Sequence, residues 1–446
     1  MSRWRVPRFA SSFVAFTLML ALVACGGPMG PAPVVAPRSP YSSMKYPAPL
    51  PMPGPGQPNT PLTAGPIKVA LLVPLSGPNA ELGKAMLEAA QLALFTTGSD
   101  RLTLIPRDTA GADGAAGAAR SAIGEGAQVI LGPLLAADVE AVKPVARDAH
   151  LNVIAFSTAT QLAGGNVFLM GFLPRQEVAR EVAFAHSRGL NRFAVLAPGS
   201  QYGHVMADAF RDAVNGNGAT LVKSEYFDPN GGNLTNVIQR FISGAAPAPA
   251  APAGFPPPPP PAAAAADFDA LLLPEGGPQL KQIARQLRDA GIDAAKVRLL
   301  GSGLWDDPSI AGEPALYGGW FAASPPDPRG EFESRFQGTY GHPAPRLASL
   351  AFDAAALAGA LAKNGGADAF SHDAILNPSG FTGVDGLFRF TPEGLVQRGL
   401  AVLEVGPGGN TVVSPAPQNF DEFSRRWTQQ LASLFGISSA ALPAPR

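Results

Sequence analysis

Cysteine is all but missing. Cys25 is the one thiol in 446 residues, so no disulfide can form within the chain. Stability in an oxidising compartment must then come from packing. Charge is sparse too, at 15% of residues with a net of −1. A nucleic-acid partner would need a basic face, and none is expected. Five histidines, His150, His186, His204, His342 and His372, are scattered without metal-ligand spacing. Gly199-Ser200-Gln201 and Gly301-Ser302-Gly303 lack the spacing of a Gly-x-Ser-x-Gly nucleophile turn. No Gly-x-x-x-x-Gly-Lys-Ser/Thr run is present to cradle a nucleotide, and no cofactor is expected. The adjacent carboxylates Asp306 and Asp307 read as a turn, since neighbouring side chains point apart. These absences argue against an enzyme.

Proline and glycine are plentiful, 47 and 50, and much of that load falls in tracts that cannot form a core. Residues 1–25 read as an export signal: Arg3, Arg5 and Arg8, then the apolar run Phe9 to Val23, then small residues before Cys25. That run is about 15 residues, short of the ~20 that span a bilayer. Leu22-Val23-Ala24-Cys25-Gly26 resembles the bacterial lipobox, which implies cleavage before Cys25, acylation there and attachment to a membrane. Gly26, where the sorting pattern would place Asp for inner-membrane retention, favours the outer membrane over the inner. Residues 26–66 are Pro-rich and read as an extended tether, able to reach about 120 Å at ~3.1 Å per residue. A second Pro/Ala-rich tract, 245–266, reads as a disordered insertion.

From Ile67 the chain alternates between short apolar, β-branched runs and helical periods, the pattern of an α/β fold with parallel sheets. Ile67 to Val73 reads as a buried strand. It runs through Pro74-Leu75-Ser76-Gly77-Pro78-Asn79 into a helix with Leu82, Ala85, Met86, Ala89, Ala90 and Ala93 on one face. The device recurs at Phe193 to Ala197, Pro198 to Gly203 and a helix over Val205 to Val214, which predicts two Rossmann-like lobes. Further strands are expected at 102–106, 127–131, 152–156, 221–226, 269–273 and 296–300, with a late hairpin pairing Leu387–Phe390 with Leu400–Val405 around Pro392-Glu393-Gly394. Phe420 to Leu434 reads as a terminal amphipathic helix, with 437–446 a frayed tail.

Each strand is followed by a loop rich in hydroxyls and bare backbone. Ser76-Gly77, Pro133-Leu134, Ser157-Thr158, Ser200-Gln201-Tyr202, Glu275-Gly276-Gly277 and Ser302 to Trp305 should gather at the carboxyl edges of their sheets. With Tyr202 and Trp305 as aromatic platforms, they suit hydrogen-bonded capture of a small polar ligand without transforming it.

Ile67 to about Val405 resembles the type 1 periplasmic-binding-protein fold, in its leucine- and amide-binding branch. The residues that carry the resemblance are Ala70 to Gly77, Val129 to Leu134, Gln201-Tyr202-Gly203 and Leu280 to Gly291. Within it the sequence is most similar to the penicillin-binding-protein activators, through Gly132-Pro133-Leu134-Leu135, Val139-Glu140-Ala141-Val142, Leu151 to Ala155, and Phe168 to Val178 with Pro174 and Glu177. The resemblance implies two lobes joined by three crossings: 67–176 with 324–390, and 177–323 with 391–436. It also implies a cleft that closes by hinge motion, with Ser76, Ser157, Thr158 and Tyr202 lining it. Amino-acid receptors of this branch hold the ligand ammonium with an acid near a second-lobe helix start. Gln279 falls at that place, with Glu275 just upstream. The expected role is a non-enzymatic envelope lipoprotein that regulates peptidoglycan synthesis by contacting a synthase. The alternative is a solute receptor feeding an amino acid or amide to an ABC importer.

Overall fold

The computed structural model describes residues 66–98, 101–243, 267–292, 296–364 and 366–421. The export signal with Cys25, the tether up to 65, the insertion, the tail and nearly all of the expected terminal helix lie outside the described residues.

The first lobe opens with β1 (Ile67–Val73), followed by α1 (Ala80–Thr97), β2 (Leu102–Asp108), α2 (Gly114–Gly124), β3 (Val129–Leu131), α3 (Ala136–Asp148), β4 (Val153–Ala155) and β5 (Val167–Leu169). The five strands are parallel, in the order β2-β1-β3-β4-β5. β1 is apolar nearly throughout because both its faces are covered. Val69, Leu71 and Val73 point into a core shared with α1, while Ala70 and Leu72 join one shared with α2 and α3.

The second lobe starts at α4 (Pro174–Ser187), then β6 (Arg192–Pro198), α5 (Gln201–Gly216), β7 (Thr220–Phe227), α6 (Leu234–Ser243), β8 (Ala270–Leu272), α7 (Gly277–Asp289), β9 (Arg298–Leu300) and β10 (Trp320–Ala323). Its parallel part runs β7-β6-β8-β9-β10, the order of the first sheet repeated. Between α6 and β8 the described chain breaks off after Ser243 and resumes at Asp267, ahead of the amino-terminal end of β8.

The chain then returns to the first lobe with α8 (Pro326–Tyr340), α9 (Ala348–Asn364) and the short α10 (His372–Ile375). Phe332, Phe336, Ala351 and Ala355 pack in the same core as α1. A small antiparallel sheet follows: β11 (Phe381–Gly383), β12 (Gly386–Phe390) and β13 (Val396–Arg398). Finally β14 (Ala401–Gly406) joins the second sheet antiparallel to β10, and β15 (Gly409–Ser414) pairs antiparallel to β14 at its edge. The chain thus passes between the cores of the two lobes after β5, after β10 and again before β14. The last passage lies beyond Val396, which is still in the first lobe's core, whereas the expected boundary was at 390/391.

The late hairpin is corrected. β12 pairs with β13, Phe388 opposite Arg398, and β14 leaves for the other sheet. Ala401 to Leu403 is a continuous buried run, which needs cover on both faces, while Val396-Gln397-Arg398 alternates and suits a small sheet on a surface.

Candidate functional site

A sheet of order 2-1-3-4-5 has its crevice where the order reverses, beyond the carboxyl ends of the first and third strands. In the first lobe these are β1 and β3, paired at Leu71 and Leu131, so Ser76 and Gly77 neighbour Pro133 and Leu134. Ser157 and Thr158 follow β4, the next strand across. Ser76 and Gly77 are exposed, with Gly77 at φ +72°. Pro133 is buried, Leu134 is half-buried against the core, Ser157 is buried, and Thr158 is exposed. The Ser157 hydroxyl accepts the Ala159 N–H at 3.2 Å.

Asp108, at the end of β2, was not singled out from the sequence. Its carboxylate accepts the N–H groups of Leu75 (2.8 Å) and Ala110 (2.9 Å). Burial pushes its pKa up, but hydrogen bonds from the Ser76 side chain and these N–H groups outweigh that and hold it below the usual carboxylate range. Asp108 thereby fixes the loop that carries Ser76 and Gly77.

The equivalent edge of the second lobe brings together Tyr202, Glu275 and Ser302, after the mutually paired β6, β8 and β9. Ser200 caps α5 by accepting the Gly203 N–H at 3.2 Å, which sets Tyr202 in the first turn. Burial pushes the Tyr202 phenol pKa up; a hydrogen bond with Ser302 opposes this, and the charges of Glu177 and Glu275 add to it. Burial likewise raises the Glu275 pKa, partly offset by the Gly276 N–H at 3.0 Å. Gln279 is half-buried in the first turn of α7, and its Nε2 is buried without a hydrogen-bond acceptor.

Trp305 is not a platform in this crevice. It is fully buried in the second lobe's core, and its Nε1–H donates to the Leu273 carbonyl at 3.2 Å. Gly301 makes this fit: a Cβ there would lie 2.1 Å from the indole. The exposed side chain of that loop is Leu304.

The floor, where the lobes are joined, is ionic. Glu177, in the first turn of α4, accepts the Gly303 N–H at 3.0 Å. Burial pushes its pKa up to about 7, against the pull of that bond, Arg346 and Arg398. The Arg346 guanidinium lies 3.9 Å from the Phe172 ring centroid and 2.9 Å from Asp385. Arg398 is buried behind it, donating from Nη2 to the Met170 carbonyl (2.7 Å) and from its backbone N–H to Gln176 (3.0 Å). Sequence reasoning passed over Arg346, Arg398 and Asp385. Their one signal is that each charge stands close to the apolar or aromatic runs of its element. Among the described residues, no group of three or more His, Cys, Asp or Glu could hold a metal ion, and no helix is long and apolar enough to cross a membrane.

A family model described as periplasmic binding protein matches residues 66–410. An ABC transporter substrate-binding protein from Sphaerobacter thermophilus superposes with a TM-score of 0.62 at 22% identity, covering 79% of this chain and 98% of that one. One from Desulfitobacterium hafniense in complex with Leu gives 0.57 at 17%, covering 78% and 99%. A solute-binding protein from R. palustris in complex with benzoate gives 0.54 at 19%, covering 79% and 98%. At such identities the likeness is one of fold. An uncharacterised protein of Rickettsia prowazekii (strain Madrid E) is 19% identical over 179 residues, 40% of this chain and 48% of that protein, so the match spans about half the length of that relative.

Proposed function

Because the chain belongs to the periplasmic-binding-protein family, we propose that it is a non-enzymatic envelope protein whose two lobes close over a small polar solute bearing an amino group. The observation that carries this reading is the second-lobe crevice. Glu275 is held beside Tyr202 and Ser302, half out of water, and forms no ion pair with a described residue. A ligand ammonium would supply the missing cation, a contact worth about 1.5–3 kcal/mol. Gln279, at the position where amino-acid receptors of this fold carry an acid, offers an amide and no charge, which by itself disfavours an amino-acid ligand; in this reading Glu275, just upstream, supplies the charge instead. The first-lobe loops would offer the backbone of Gly77 and the hydroxyl of Thr158 to the solute's other end, a carboxylate or amide, while Ser76 is held by Asp108. Solved relatives of this fold bind leucine or benzoate, which supports a ligand of that size.

A thermal-shift screen of the protein against the common amino acids and their amides tests this. A rise in Tm with at least one, lost in Glu275→Gln, is expected. No rise with any of them overturns the reading.

A second reading is favoured by the lipobox at Leu22 to Gly26 and the Pro-rich stretch to 66. In it, the protein is anchored through acylated Cys25, on the outer membrane in preference to the inner, and reaches across the envelope to regulate a peptidoglycan synthase, a penicillin-binding protein. Retention of a bifunctional synthase on the immobilised soluble domain would support it. Failure of Cys25 to incorporate labelled palmitate would remove its basis.

A further inference from the structure

Beside the passage from β10 to α8 lies a groove of about 470 Å³ whose lining is separate from the crevice described above, although Arg346 of the ionic floor reaches toward its charged end. Its lining includes Pro308, Ala311, Pro326, Leu403 and Asn410, with Asp306 and Arg329 at its charged end. That volume is in the range of small-molecule sites.

Asp306 belongs to the second lobe, in the turn after Trp305. Arg329 belongs to the first, on α8 ahead of Phe332 and Phe336. Both nitrogens of the Arg329 fork hold the Asp306 carboxylate, the Nη2 contact at 2.9 Å. Arg346 Nε approaches the same carboxylate at 3.7 Å. The side chains of Asp306 and Arg329 are 6% and 14% exposed, so this is a largely desolvated interlobe pair. Two guanidiniums converge on one oxyanion, and each keeps a second carboxylate partner, Glu333 at 3.2 Å from Arg329 Nε and Asp385 at 2.9 Å from Arg346. Within the groove Asn410 Oδ1 is buried without a donor. The remaining walls are proline, alanine and leucine with the backbone of Gly408 and Gly409.

We propose that this groove is a second small-molecule site, for an organic anion with a short apolar body, whose carboxylate or phosphate displaces Asp306 from Arg329 and Arg346. Asp306 stands in for the ligand's head when the site is empty. The apolar body lies along Pro308, Ala311 and Leu403, and a hydroxyl or amine on the ligand would donate to Asn410. Such a ligand unclasps the second lobe from α8, so occupancy here loosens the joint about which the lobes turn.

Calorimetric titration of the full chain with hexanoate, hexyl phosphate and inorganic phosphate tests this. Hexanoate or hexyl phosphate should bind, and the tighter of the two names the head group. Asp306→Asn should tighten binding by about tenfold, the scale of one charge-assisted hydrogen bond removed from competition. Arg329→Gln should abolish it. Inorganic phosphate, lacking the apolar body, should bind more weakly. Ala311→Trp fills the groove without touching the ion pair; it should abolish hexanoate binding and leave amino-acid binding in the interlobe crevice as it was. This variant decides the matter if Arg329→Gln leaves Asp306 unpaired and the fold suffers. The proposal is overturned if neither organic anion binds, if Asp306→Asn and the parent bind alike, or if binding survives Ala311→Trp.

Discussion

Two carboxyl groups near the crevice have raised pKa values from burial, with different consequences. Glu275 must be ionised to hold an ammonium. Its pKa is above the ordinary glutamate value, so affinity for an amino-bearing solute should begin to weaken at a higher pH on acidification than a solvated glutamate would require. Calorimetric Kd values for the solute between pH 4 and 8 should show that fall, and Glu275→Gln should bind weakly and without the pH dependence. Glu177 acts on the fold. Its folded pKa is about 7 against an ordinary glutamate value of 4.5, so the folded state holds its proton more tightly than the unfolded chain. The stability it contributes is complete below the unfolded pKa and is lost as pH rises through about 7. Glu177→Gln keeps an acceptor for the Gly303 N–H and removes the titration. The difference in unfolding free energy between variant and parent, read from urea denaturation, should then shift in the variant's favour from pH 5 to pH 8, by about 3 kcal/mol at most. A constant difference would show that Glu177 titrates normally.

At the scale of elements, each lobe uses the same joint between strand and helix. The first turns of α1 and α5 lie so close to the preceding strand that a Cβ on Gly83 would sit 1.9 Å from the Pro74 carbonyl oxygen, and one on Gly203 1.9 Å from that of Pro198. Glycine is required there by backbone contact. Gly83→Ala and Gly203→Ala should each cost about 1–3 kcal/mol by forcing the helix off its strand, read as a lower urea midpoint. Gly216→Ala, with open space about it, should cost nothing by this route. These joints were legible in the sequence, because an apolar β-branched run, a proline and a Ser/Gly loop come in that order twice. Ends of elements were less so: α3 begins at Ala136 although its apolar period begins at Val139. β10 and α8 escaped notice. Trp320 to Ala323 is short, and α8 hides behind Pro326 and Pro328 at its start. Trp305 was misread because position after a strand signals a crevice, whereas the space left by Gly301 for its ring is a tertiary fact.

For the whole molecule, the passages between lobes are drawn together at Arg398. It lies on the last passage and bonds to Met170 and Gln176 on the first, beside Asp385. Its removal leaves Asp385 buried with a cation fewer. Arg398→Met should cost about 3–5 kcal/mol, the scale of a broken buried pair. Calorimetry should then resolve separate melting of the two lobes where the parent melts as one. A single transition at an unchanged temperature would show that the hub does not couple them. None of this hub could be read from the sequence, because its members lie far apart along the chain and meet only when both lobes have formed. The doubled sheet order could be anticipated from repetition, and the crevice from that order.

The place where the second lobe's chain departs after Ser243 and rejoins at Asp267 has a practical corollary. The strands of this sheet end at the crevice, and the described chain resumes at Asp267 ahead of the opposite, amino-terminal end of β8. Length added between these points therefore joins β8 like a handle, at the end remote from the mouth. A fluorescent protein spliced between those points should leave the thermal shift with the proposed solute unchanged, making the chain a ready chassis for an optical sensor.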